Sequence, residues 1–144
     1  MSIEELIRQV KDQAFEAGAC GKLTGEENVA ELAKLVMSPA GLEFCVKNHF
    51  PAGSTWRQIK EAADMTQYGI YIDAGDVKLQ DPDNVLLVGR TTANITCTGK
   101  GRRNVNALRG ASALVVAYDW TVCRVIADTT CHIIKQPHGN AVII

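Results

Sequence analysis

The stretch that decides the fold runs from Asn84 onward: NVLLVGRTTA (84–93), NITCTGKGRR (94–103), NVNALRGAS (104–112), ALVVAYDWT (113–121), VCRVIADTT (122–130), CHIIKQPHG (131–139) and NAVII (140–144). The cut is in tens as far as Arg103 and in nines from Asn104. The first position then reads Asn84, Asn94, Asn104, Ala113, Val122, Cys131 and Asn140. The second reads Val85, Ile95, Val105, Leu114, Cys123, His132 and Ala141; the fourth reads Leu87, Cys97, Ala107, Val116, Val125, Ile134 and Ile143. Thirteen of the fourteen residues in those two columns are apolar, with His132 the exception. Alternate residues of a strand share one face, so the two columns are expected to form a core.

Each segment is about five strand residues and a turn rich in Gly, Asp, Thr and Ser. So short a unit buries no face alone, whereas stacked copies do. Two nine-residue units predict an eighteen-residue coil with a strand on each side. An antiparallel meander would call for Asn-Gly or Asp-Gly hairpin turns, and none stands where it is needed. A calcium-binding β-roll has the same period, but its G-G-x-G-x-D turns are missing, so no calcium is expected.

Upstream of the repeat, Tyr68–Asp73 and Val77–Leu79 read as short strands closed by turn residues Ala74-Gly75-Asp76 and Asp81-Pro82-Asp83. Before Gly69 the apolar period is helical. Ser2 and Glu5 have capping-box spacing, and Ile3, Leu6, Ile7, Val10 and Ala14 follow on one face, with Phe15 beside them. Gly18 and Gly21 are expected to end that helix. Thr24 and Glu27 repeat the box before the stripe Val29, Leu32, Ala33 and Val36. Ser38-Pro39 starts a third helix with proline where its missing N–H costs nothing, and Leu42, Cys45 and Val46 face inward. A fourth is expected from Ser54 to Ala63. The predicted fold class is therefore α+β: N-terminal helices, then a small β-solenoid of nine-to-ten-residue half-coils. Its parts are a helical cap region, 1–66, and a solenoid region, 67–144, packed together as one unit.

Bulk composition is that of a folded domain: 144 residues, 47% apolar, 22% charged, net charge −1. That length buries a core without disulfides or metals. The near-zero charge hides two opposed halves. Residues 1–83 carry eight basic and fourteen acidic side chains, a balance of −6; residues 84–144 carry seven and two, a balance of +5. No apolar run approaches membrane-helix length, and the first residues are acidic where a signal peptide is basic, so a cytoplasmic protein is expected. The five cysteines, Cys20, Cys45, Cys97, Cys123 and Cys131, are odd in number and lack C-x-x-C spacing, which favours free thiols.

The strings DWTVCRVIADTTCHII and GNAVII resemble the D/G-N-A-x-V-x-V strings of short bacterial and phage-associated β-solenoid (single-stranded β-helix) proteins. EFCVKNHFP, YGIYIDAGDV and NVLLVG resemble the lead-in found in some of them. The resemblance covers about residues 43–144 and implies a fold, with no activity to carry over.

Candidate function lies in the outward columns. One outer side is expected to carry Leu86, Val88, Asn106, Leu108, Arg124, Ile126, Val142 and Ile144, six of the eight being apolar. The other is expected to carry Thr96, Thr98, Val115, Ala117, Ile133 and Lys135. The first side is either covered by the N-terminal helices or kept for a partner or second copy. Ala141–Ile144 is an apolar strand of the kind that invites further pairing. The candidate interface is Leu86, Val88, Leu108, Tyr118, Trp120, Ile126, Val142 and Ile144. A second surface is basic: Arg90, Lys100, Arg102, Arg103, Arg109 and Arg124, with Asp119 the lone acid between Asn84 and Ile126. Guanidinium groups and turn amides can hold phosphate or an acidic partner; the plainer reading is a solvated turn.

Catalytic and metal signals are thin. Cys45 and His49 have i, i+4 spacing, but no other ligands are placed to converge with them, so no metal or cofactor is expected. Asp73, Asp76, Asp81 and Asp83 fall where Asp forms turns rather than as an acid–base pair across a groove. No Ser-His-Asp order, dinucleotide fingerprint or P-loop occurs. The expected role is non-catalytic binding or assembly, with a protein partner or homo-oligomer and no membrane. The alternative is an anion- or nucleic-acid-binding accessory or inhibitor protein of a phage or mobile element, acting through Lys100–Arg103. A carbohydrate-active β-helix enzyme is the remaining alternative.

Overall fold

The computed structural model describes residues 3–16, 28–51 and 53–144. The chain divides into two compact units, Met1–Ile70 and Tyr71–Ile144. The first holds α1 (Ile3–Glu16), α2 (Val29–Met37), α3 (Pro39–Asn48), α4 (Gly53–Ala62) and a 3₁₀ turn at Met65–Tyr68. The predicted boxes at Ser2 and Thr24-Glu27 and the glycine stops lie outside the described residues. The cap seen on α2 is Asn28, whose side chain accepts from Glu31 N at 2.9 Å. Ser38 caps α3 by accepting from Gly41 N, with Pro39 at the first helical position. Leu6, Ile7, Val10, Leu32, Leu42, Trp56 and Ile59 are buried in this unit, as helical spacing requires.

The second unit is a parallel β-solenoid. Its strands are β1 (Ile70–Ile72), β2 (Gly75–Gln80), β3 (Asn84–Val88), β4 (Thr91–Cys97), β5 (Gly101–Leu108), β6 (Ser112–Ala117), β7 (Thr121–Ala127), β8 (His132–Pro137) and β9 (Val142–Ile143). Odd strands make one sheet, in the order β1-β3-β5-β7-β9, and even strands the other, β2-β4-β6-β8. The strand pairs β2–β4 through β7–β9 are all parallel, which excludes the meander. The α+β class with helices before a solenoid is what the sequence predicts.

The coil is longer than eighteen residues. Asn84 pairs with Asn104, Asn104 with Arg124, Ser112 with His132 and Val122 with Val142, a repeat of twenty; only the first coil is short, Gly75 pairing with Thr91. A ten-residue half-coil preserves parity, so every inward side chain has an odd number. Val85, Leu87, Ala93, Ile95, Cys97, Val105, Ala107, Ala113, Val115, Ala117 and Cys123 form the buried core. The nine-residue cut slips by one residue per half-coil after Asn104, and an odd slip turns a strand over. Leu114, Val116, His132 and Ile134, expected inside, therefore face outward, while Val115, Ala117 and Ile133, expected outside, face inward. On β7 and β9 the slip is even, and Cys123, Val125 and Ile143 lie on the expected face.

The two sheets meet at two stacked corners. At the first, the odd sheet hands over to the even one. Gly89 has φ +67 there, and a Cβ on it would collide with the Asp73 carboxylate. That carboxylate accepts from Arg90 N at 2.7 Å. One coil-pair later Asp128 accepts from Arg109 N at 2.8 Å and Thr130 N at 2.9 Å. Thr91 and Thr121 occupy inward positions and satisfy their hydroxyls on the carbonyls of Val88 and Gly99. Asp side chains thus stitch turns of neighbouring coils, which is why acids occur at the corners.

Candidate functional site

The outward face of the odd-strand sheet divides by position along the strands. Near the first corner Leu86, Val88, Asn106 and Leu108 are buried and Ile126 is half-buried. The Asn106 amide donates to Asn84 Oδ1 at 2.9 Å and Val85 O at 3.0 Å. Near the second corner the same sheet is open. The register sets Arg102 beside Val122, Val122 beside Val142, and Asn104 beside Arg124. Residues 100, 120 and 140 continue that register into the corner: Lys100, Trp120 and Asn140. Two contacts carry the twenty-residue step through this turn. The Tyr118 ring stacks on the His138 ring with centroids 4.9 Å apart and planes 14° apart. A Cβ on Gly139 would sit 3.6 Å from Asp119 N.

This open half is a lattice of side chains. Lys100, Arg102, Trp120, Arg124, Val142 and Ile144 are exposed; Asn104 and Val122 are half-buried. Trp120 is 63% exposed, whereas Trp56 is 2% exposed in the helical unit. Among the described residues Lys100, Arg102 and Arg124 make no ion pair. Asp119 precedes Trp120 in the turn, exposed, with φ +59.

The six predicted cations do not form one site. Arg103 has an odd number and turns inward at the position of Cys123 in the next coil. Its guanidinium donates to Asp83 Oδ1 at 2.6 Å and Asp81 O at 3.2 Å and lies 3.9 Å from Asp81 Oδ1. It is committed to the preceding turn, so it is removed from the anion-binding set. Arg90 and Arg109 stand at the first corner, Arg109 left-handed at φ +59. Lys100, Arg102 and Arg124 alone share the open half. Of the predicted interface, Leu86, Val88 and Leu108 are buried and present no surface, while Tyr118, Trp120, Val142 and Ile144 are exposed.

The remaining chemistry is structural. The backbone N–H of Thr98 holds the Asp81 carboxyl below the usual range against the opposing effect of burial, with help from the Thr98 hydroxyl and Arg103. Burial pushes the Asp128 carboxyl up, and the bonds from Thr130, Arg109 and Cys131 outweigh it and bring it below the usual range. Burial, with a bond to Cys123, pushes the Cys97 thiol up to about 12 and burial raises Cys123 as well, so both stay protonated inside the coil. Cys45 is buried and His49 exposed, and no group of metal-ligating side chains converges among the described residues. His132, expected in the core, is exposed on the outer face of β8. Reading the columns by tens would have found the Tyr118–His138 stack and the place of Asn104 beside Arg124, both missed at nine.

The chain matches no protein-family profile, no curated protein and no solved structure. Among the described residues no helix is long and apolar enough to cross a membrane.

Proposed function

We propose that the protein is a non-catalytic contact module of the cytosol, whose solenoid binds a protein partner or a second copy of itself through its C-terminal coils. One observation carries this reading. The exposed large apolar side chains among the described residues are Tyr118, Trp120, Ile134, Val142 and Ile144, all five within the last coil and a half. Scattered apolar residues need no explanation, but a set gathered at one end of a solenoid is the mark of a contact.

The edges refine it. β8 and β9 are the outermost strands of their sheets. β8 carries Lys135 in the inward column of Val115 and Pro137 in that of Ala117. Inward charge and proline are devices that blunt an edge. β9 has neither; its own Val142 and the following Ile144 are exposed, so the contact centres on β9. In sedimentation velocity over a range of protein concentrations, the wild type should associate. The double variant Val142→Asp, Ile144→Asp should weaken that association by about tenfold or more, roughly 1.4 kcal/mol. A wild type that sediments as a monomer and captures no partner through β9 would end this reading.

A further inference from the structure

The open half of the odd-strand sheet carries a second, chemically different surface. Lys100, Arg102 and Arg124 are exposed cations without an ion pair among the described residues, and Trp120 stands in the turn that leads into β7, the strand that bears Arg124. Lys100 and Trp120 occupy equivalent turn positions one twenty-residue step apart, immediately before the paired Gly101 and Thr121, and strand spacing places Arg102 and Arg124 roughly 8 Å apart on the diagonal. Asn104, beside Arg124, adds a donor and an acceptor on the same face. The sheet holds these groups from below: inward Val105, Cys123 and the ion-paired Arg103 fix the strands that present them.

We infer that this face binds single-stranded nucleic acid, its phosphates held by Lys100, Arg102 and Arg124 and one base stacked on Trp120. Charge complementarity requires a polyanion, since the lattice from Lys100 to Arg124 contains no carboxylate and Asp119 lies only at its rim. A large exposed ring among cations selects unpaired bases over an acidic peptide, because a base offers a flat π-face and a carboxylate does not. An open sheet face also offers a platform on which unstacked bases can lie, here with Trp120 at its rim, whereas a closed duplex hides its bases. The site borders the β9 contact: the cations and Trp120 lie on β5, β7 and the turns before them, and β9 pairs with β7 so that Ile144 stands beside Arg124.

The test uses the full chain and a fluorescently labelled oligothymidylate at low salt, followed by anisotropy and by tryptophan emission. Binding should quench emission in the wild type, since Trp56 is buried and Trp120 is the ring in reach. With three phosphate contacts, log affinity should fall with log salt at a slope of roughly −2. Trp120→Ala should lose about 5- to 150-fold in affinity, as the removal of one stacked base does. Lys100→Glu with Arg102→Glu should abolish binding. Asp119→Asn suits the left-handed backbone at that turn and should tighten binding. Circular dichroism of each variant separates lost binding from lost fold, and Asp119→Asn needs no such control because it predicts a gain. Four results would overturn the inference: no binding at low salt, equal affinity for polyglutamate, equal affinity for phosphatidylserine vesicles, or Trp120→Ala binding as the wild type does. Val142→Ser with Ile144→Ser trims the apolar side chains of the β9 contact without bringing a charge beside Arg124 and should leave nucleic-acid binding in place, so failure of the β9 contact and failure of this site are told apart.

Discussion

Single residues in this solenoid are explained by parity and by the corner they occupy. Arg103 is the clearest case. In the sequence it is the fourth basic or glycine residue of Lys100-Gly-Arg-Arg103 and looks like its neighbours; its odd number turns it inward onto Asp81 and Asp83. The Arg103 side chain is largely buried, so removing its carboxylates leaves that charge uncompensated, whereas Asp83 is exposed and would be solvated. Asp128 does comparable work at the other corner, joining Arg109 N of the coil before to Thr130 of its own turn. Both Asp81 and Asp128 have carboxyls held below the ordinary value of 3.8. The unfolded chain therefore takes up these protons first as pH falls. Their contribution is fully present above about pH 5 and is lost as pH drops through 3.8 toward the folded values. Urea melts should show the wild type losing stability across that window. Asp128→Asn should be less stable at neutral pH by about 1–3 kcal/mol and show a shallower acid loss.

At the scale of the element, the strands are legible from sequence but the register is not until the period is right. Asparagines at 84, 94 and 104 announce a ten-residue step, and the step continues through Leu114, Arg124 and Ile134 without an asparagine to mark it. Both faces of β6 are apolar in sequence, Ser-Ala-Leu-Val-Val-Ala, so nothing in the strand itself rejects a slip of one. Parallel strands with two apolar faces lose the alternation that normally fixes register. The corners retain it: Asp, Thr and Gly recur only at the step that lets one turn bond to the next. A pair of substitutions in β6 checks the assignment. Val115→Asp should cost about 4 kcal/mol or more, since it buries an unpaired carboxylate. Val116→Asp should stay within about 1 kcal/mol of the wild type in chemical denaturation. A larger loss at Val116 than at Val115 would return the strand to the nine-residue register.

For the whole molecule, the helices and the solenoid were each readable in order. Helical spacing placed α3 at Ser38-Pro39 and the switch to period two placed the strands after Gly69. The candidate site was half legible. Exposed Val142, Ile144 and Arg124 are legible from their columns, Trp120 from its aromatic turn, and Lys100 and Arg102 from the basic run they share. Leu86, Val88 and Leu108 were not distinguished from them, because outward position on a strand does not say which part of a sheet stays open to solvent. The last coils differ from the first ones in this respect: β3 is buried on both faces, while β9 is exposed on its outer one.

The contact at β9 can be read from the backbone itself. Hydrogen–deuterium exchange followed by mass spectrometry, at a dilute and at a concentrated protein level, resolves peptides covering 132–144. Association through β9 should slow exchange of the Val142–Ile144 amides at the higher concentration and leave β5 and β6 unchanged. Unchanged exchange at Val142–Ile144 in a sample that sedimentation shows to be associated, or protection confined to another segment, would contradict it.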